Sequence, residues 1–134
     1  MTIIGQCNAI TLNAVSYVYD LEENVYTYLT DKFNQYAKKN NLDVELIMTT
    51  YTIDNCTILV EDYGSILEHL LKKQSTKYDI IMYDNMYSPR FSPYFEDLRD
   101  WLPKEHIEMY ASGVASQTCT FGEKWVGLVS IREK

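Results

Sequence analysis

The hydrophobic pattern of this chain changes period repeatedly, and that alternation constrains its fold more than any other feature. The stretch "TIIGQCNAITL", residues 2–12, is β-branched and partly alternating, which suits a strand. "DLEENVYTYLTDKFNQYAKKNN", residues 20–41, carries Val25, Tyr28, Leu29, Phe33 and Tyr36 at helical spacing. Asp20 is a good N-cap with Glu23 placed as in a capping box, and Lys38 and Lys39 suit the C-terminal end of the helix dipole. "DVELIMTTYT" reads as a second strand from its Val, Ile and Thr content. A second helix begins between Val60 and Ser65 and carries Ile66, Leu67, Leu70 and Leu71 on one face. "YDIIMYD", residues 78–84, is a third strand, apolar on both faces from Ile80 to Tyr83, as a central parallel strand reads.

Pro93, at the first helical position after Ser92, starts a third helix with Phe95, Leu98, Trp101 and Leu102 turned inward. Pro103 closes it, a short helix covers His106 to Tyr110, and "EKWVGLVSI" is a last strand. The order β-α-β-α-β-α-α-β predicts an α/β domain with a mostly parallel sheet, occupying residues 1–134 without repeats or linkers.

Composition bounds the partners. With 46% apolar, 23% charged and 13% aromatic residues, 134 residues suffice for one globular core. A net charge of −7 speaks against nucleic acid and against anionic membrane. No apolar run approaches the roughly 20 residues that span a bilayer, so direct membrane insertion is not expected. The N-terminus lacks a basic n-region and an apolar h-region. Cys7, Cys56 and Cys119 have no C-x-x-C spacing, which removes zinc-knuckle and thioredoxin readings. They read either as buried thiols or as one disulfide with a thiol left over, and Asn55-Cys56-Thr57 matches a glycosylation acceptor.

In parallel α/β sheets, ligands sit beyond the carboxyl ends of the strands. Two loops qualify: "SYVYDLEEN", Ser16 to Asn24, and the stretch from Asp84 to Arg90. Both are rich in tyrosine with carboxylates or amides, a set suited to sugars, since aromatic faces pack on a pyranose and planar polar groups pair with its hydroxyls. Neither has the glycines of a phosphate cradle, and no cofactor or metal is expected.

The strings "YDIIMYDN", "FEDLRDWLP" and "GEKWVGLVS", in that order, resemble the family 1 extracellular solute-binding proteins, the sugar-binding components of ABC transporters. The likeness is to their first lobe, a three-layer α/β/α unit of the periplasmic binding protein-like II fold. It implies an extracellular or periplasmic, non-enzymatic binding module for a small polar solute of the saccharide class. By position it makes Tyr17, Tyr19, Asp20 and Glu22 ligand contacts after strand one, and Asp84, Asn85 and Tyr87 contacts after strand three. Trp125, near the hinge, is a further candidate. The sequence departs from the pattern at Val129, where the family has a hinge proline, and at Lys134, where family members cross into a second lobe. A missing second lobe or a second copy of the chain, as a homodimer, is therefore an expected partner; the alternative is a truncated lobe that self-associates without ligand. Simpler roles stand beside the ligand roles. Asp20 can be the helix cap, Tyr17 and Tyr19 can alternate at a strand end, and Trp101 and Trp125 can anchor cores.

Catalysis has little support. His69 and His106 read as surface residues, and no H-E-x-x-H or G-x-S-x-G motif occurs. The acidic pairs Glu22–Glu23, Glu61–Asp62 and Glu96–Asp97 read as solvated helix positions.

Overall fold

The computed structural model of the chain describes residues 9–18, 25–52, 60–111 and 113–128. Within them, β1 (Ile10–Tyr17) is the middle strand of a three-stranded parallel sheet of order β2-β1-β3. Small residues fit it for that place: Ala14, Val15 and Ser16 are fully buried, so both faces of the strand are covered. β2 (Val44–Tyr51) pairs with β1 along its whole length, from Ile10 against Val44 to Tyr17 against Tyr51. β3 (Ile80–Ile81) pairs with Ala14 and Val15. Flanking bonds lengthen this short ladder: Asp79 N–H donates to the Asn13 carbonyl at 2.7 Å and Met82 N–H to the Val15 carbonyl at 2.8 Å. Asp79 Oδ2 accepts from Asn13 N–H at 2.8 Å, a carboxylate standing in for strand backbone. The α/β class with a parallel sheet therefore holds.

The apolar run 80–83 is not the central strand it was expected to be. β3 lies at an edge, because strand order is set by the crossovers and not by how apolar a run is. The first strand also lies later than the pattern predicted, reaching Tyr17; its expected start at residues 2–8 lies outside the described residues.

α1 (Val25–Lys39) links β1 to β2 and buries Thr30 and Ala37, not the predicted stripe. Tyr28, Leu29 and Tyr36 are exposed. The reason is a close approach that only small residues permit. Asn34 reaches the β2 backbone and its amide pairs with both Leu46 N–H and Leu46 carbonyl, each at 2.8 Å. Asn41, at φ 53°, ends the helix in a left-handed cap, with Leu42 N–H donating to the Ala37 carbonyl at 2.9 Å.

α2 (Val60–Lys72) follows, with Leu67 buried and Ile66 exposed on what was expected to be one inward face. The described residues form two compact units. One holds those up to Ile66 together with Gln74–Tyr83; the other holds Leu67–Lys73 and those from Asp84 onward. The end of α2 thus belongs to the second unit.

That second unit is built from short pieces: α3 (Ser88–Phe91), α4 (Lys104–Glu108), α5 (Val114–Thr118) and an antiparallel hairpin of β4 (Thr120–Phe121) and β5 (Lys124–Trp125). Gly122 opens the hairpin turn at φ 61°, where a side chain would be strained. The helix predicted from Pro93 to Leu102 is replaced by single 3-10 turns, Ser92–Tyr94 and Leu98–Asp100, and Trp101 is exposed. The extended backbone of Phe95, at φ −96° and ψ 147°, ends the first of these turns, so no helical ladder runs through the segment. Ile107, Cys119 and Trp125 form a core with Leu98, Leu102 and Tyr110 against it. The expected last strand shortens to Lys124–Trp125, and its residues 129–131 lie outside the described residues, as do Cys7, Cys56 and Asn55.

Asp97 holds this unit together. Its Oδ1 accepts from Arg99 N–H at 3.1 Å, Arg99 Nε at 2.9 Å and Trp125 N–H at 3.3 Å. Arg99 also donates to the Glu123 carbonyl, so one ion pair ties the 3-10 turn to the hairpin. The Arg99 guanidinium holds the Asp97 carboxyl well below the usual carboxylate range. Asp97 is not the solvated helix position that its sequence suggested.

Candidate ligand-binding site

The strand order reverses at β1. The chain moves from β1 to β2 on one side, then returns past β1 to β3 on the other, so β1 and β3 flank a topological switch point. At such a point the carboxyl ends of the two strands are left open between diverging connections.

Tyrosines gather at this end. Tyr17 and Tyr51 are register partners at the ends of β1 and β2, and paired residues of a parallel ladder share a face. Tyr63, from the first turns of α2, packs its ring 5.6 Å from that of Tyr17 and 6.2 Å from that of Tyr51. Its hydroxyl donates to the Met82 carbonyl at 3.1 Å, just past β3. Tyr63 is only 6% exposed, and burial, followed by the neighbouring phenols Tyr78, Tyr26 and Tyr51, pushes its pKa well above the usual tyrosine range. The Tyr51 and Tyr78 hydroxyls lie 3.2 Å apart. Lys77 sets its ammonium 5.0 Å from the Tyr78 ring centre. The result is a cluster of aromatic rings, Tyr63 buried and Tyr17, Tyr51 and Tyr78 half-buried, edged by phenol hydroxyls and the Lys77 ammonium, groups of the kind that suit a ring-shaped polar solute.

Of the residues expected after strand one, Tyr17 is in this cluster, half-buried; Tyr19, Asp20 and Glu22 lie outside the described residues, as does Glu23. Asp84, Asn85 and Tyr87 belong to the second unit, in one 3-10 turn, Asn85–Tyr87. Asp84 caps that turn, its Oδ1 accepting from Met86 N–H at 3.1 Å, and both Asp84 and Asn85 are exposed. Tyr87 stacks on Phe91 with ring centres 5.4 Å apart and planes 10° from parallel, leaving it half-buried. Trp125 is a core residue, 6% exposed, with its indole N–H donating to the Gly127 carbonyl at 2.8 Å. That is the anchor role which stood beside its ligand role.

The sequence reading missed Tyr51, Tyr63, Tyr78 and Lys77. A chain with 12 tyrosines makes any one of them uninformative, and only strand order selects these. Among the described residues no group of His, Cys, Asp and Glu could hold a metal ion, and no helix is long and apolar enough to cross a membrane. His69 is exposed, and His106 packs against Tyr110 with ring centres 5.6 Å apart. No known protein family, curated protein or solved structure matches this chain.

Proposed function

We propose that this protein is a non-enzymatic binding module for a small polar solute of the saccharide class, built as the first lobe of an extracellular or periplasmic solute-binding protein. The observation that carries the reading is the tyrosine cluster of Tyr17, Tyr51 and Tyr63 at the switch point between β1 and β3. Tyr17 and Tyr51, half-buried there with Tyr63 packed against them, suit the apolar face of a pyranose and the hydroxyls on its rim. The resemblance of "YDIIMYDN" and its companion strings to the solute-binding family gives the same assignment from the sequence.

The test is a thermal-shift panel of neutral hexoses and short oligosaccharides. A bound solute raises the melting temperature, by about 2.7 kcal/mol of added stability at a hundredfold excess over Kd. Tyr17→Ala removes the rise. A melting temperature indifferent to every saccharide in the panel overturns the reading. Asp84→Ala and Tyr87→Ala ask the same question of the second unit, and a rise they leave intact removes both from the list of contacts.

A second reading, a self-associating α/β unit, draws on the outer side of α1. There Tyr28, Leu29 and Tyr36 are exposed beside Lys32, Lys38 and Lys39, a basic and aromatic helix on a chain of net charge −7. A second copy, being acidic elsewhere, complements it. Under this reading the protein sediments as a dimer that Tyr36→Asp converts to monomer; a monomer at all concentrations removes it.

A further inference from the structure

Two of the tyrosines meet through their hydroxyls. The oxygens of Tyr51 and Tyr78, 27 residues apart in sequence, lie 3.2 Å from each other. Both side chains belong to the unit that holds the sheet, and both are half-buried, so packing holds them while solvent still reaches them. Tyr63 lies against Tyr51 ring to ring, but its own hydroxyl donates to the Met82 carbonyl. A hydroxyl-to-hydroxyl pair resembles the product of phenol coupling. When two tyrosines join through the carbons beside their hydroxyls, those hydroxyls flank the new bond and face each other. The fold therefore brings the reacting ends of Tyr51 and Tyr78 together, and such placement turns a chance encounter into a step within one molecule. The most exposed tyrosines among the described residues, Tyr28 and Tyr36, are not so placed. Eight residues of α1 separate them by about 12 Å along the helix axis, too far to couple within one chain.

We propose that Tyr51 and Tyr78 are a site of oxidative cross-linking, joined as dityrosine by a one-electron oxidant of the haem-peroxidase class acting with hydrogen peroxide. Each phenol gives up one electron and one proton. The two phenoxyl radicals then pair their odd electrons in a carbon–carbon bond between ring positions ortho to the hydroxyls. The hydrogen on each bonded carbon moves, as a proton, to the phenolic oxygen, and both rings are aromatic again. Two electrons and two protons leave the protein in all, and they reduce one hydrogen peroxide to two waters. The bridge ties the end of β2 to the entry of β3, strands that lie on either side of β1, and it closes the chain between them, α2 included. Such a closure removes freedom from the unfolded chain and so staples the sheet. The proposal is independent of the solute-binding reading.

The experiment treats the full chain, in dilute solution, with hydrogen peroxide and a haem peroxidase, and separates monomer from larger species by denaturing electrophoresis. The monomer is expected to gain the blue emission of dityrosine, at a rate that does not change with protein concentration. Digestion and mass spectrometry should then yield a peptide pair joined at Tyr51 and Tyr78, lighter than its two parts by two hydrogen atoms. Tyr51→Phe and Tyr78→Phe keep the ring and lose only the hydroxyl, so each should abolish the monomer emission. Their melting temperatures before oxidation are the folding control. The cross-linked monomer should melt about 5 °C or more above the untreated chain, a rise absent from Tyr51→Phe treated alike. Dityrosine confined to dimers, or none at all, overturns the proposal. So does a monomer bridge that maps to other tyrosines or survives in both Phe variants. A Tyr51–Tyr78 bridge without the rise in melting temperature overturns the stapling effect and leaves the modification site standing.

Discussion

Tyr63 combines three constraints in one side chain: its ring packs against Tyr17 and Tyr51, its hydroxyl is bonded to Met82, and its surroundings are dry. Because burial raises its pKa, the folded state prefers the protonated phenol. Its contribution to stability is present in full below about pH 10 and is lost as the pH rises through the raised folded value. Tyr63→Phe should cost about 0.5–1.5 kcal/mol at neutral pH, for the lost hydrogen bond, and flatten the alkaline fall in melting temperature. Asp97 works with the opposite sign. Its folded pKa is depressed, by Arg99 first, and Glu68 is likewise lowered, by Lys72 and then Arg90. Stability from both carboxylates is complete above about pH 4 and is lost as the pH falls through their folded values. Asp97→Asn should lower the melting temperature at pH 7 and leave a shallower acid limb below about pH 4, read by circular dichroism melts across pH. Of these roles the sequence showed little. Asp97 looked like one more solvated acid, because nothing local announces that a hairpin some 28 residues away will offer Trp125 N–H to it.

Elements were legible in type and less so in face. The helix before β2 and the strand at Val44–Tyr51 follow from spacing and β-branching, and both are present. The buried side of α1 does not follow, because the largest apolar residues are not the ones that let a helix approach a strand closely. Asn34 occupies that near side and pairs with the Leu46 backbone as a neighbouring strand would. Among the described residues β2 is an edge strand, and residues alternate in which side of the strand their peptide groups face. Ile10 N–H and Val18 N–H bond to the Asp43 and Tyr51 carbonyls, so odd-numbered β2 residues face β1 and Leu46 faces outward. Asn34 therefore blocks the middle of an edge that would otherwise template another chain. Asn34→Ala should cost about 0.5–1.5 kcal/mol for each of the two half-buried hydrogen bonds lost, and should produce concentration-dependent association seen by light scattering. Asn34→Asp tests the same point, since a carboxylate accepts from Leu46 N–H but cannot donate to its carbonyl.

On the scale of the whole molecule, the two units share one helix. α2 begins in the first and ends in the second, where Glu68 accepts from Arg90 at 2.5 Å and from Lys72 at 2.8 Å. A continuous helix transmits unfolding from one unit to the other, because breaking its ladder anywhere exposes both ends. Ile66→Pro places a proline at the junction, at a position exposed enough to lose little burial, and should cost about 3 kcal/mol or more. The expected calorimetric result is one transition in the wild type and two in the variant; a single transition in both shows that the units are coupled by something other than this helix. The sequence by itself determined the alternation of strands and helices, hence the α/β class, and singled out Tyr17 near the end of the first strand. Periodicity is local, and a few residues suffice to set it. Only the tertiary structure decided that β1 is central and β3 an edge, that Tyr51, Tyr63, Tyr78 and Lys77 join Tyr17, and that Trp125 serves the core. Those outcomes depend on which strand lies beside which, and strand order is fixed by long-range pairing that leaves no periodic trace in the residues themselves.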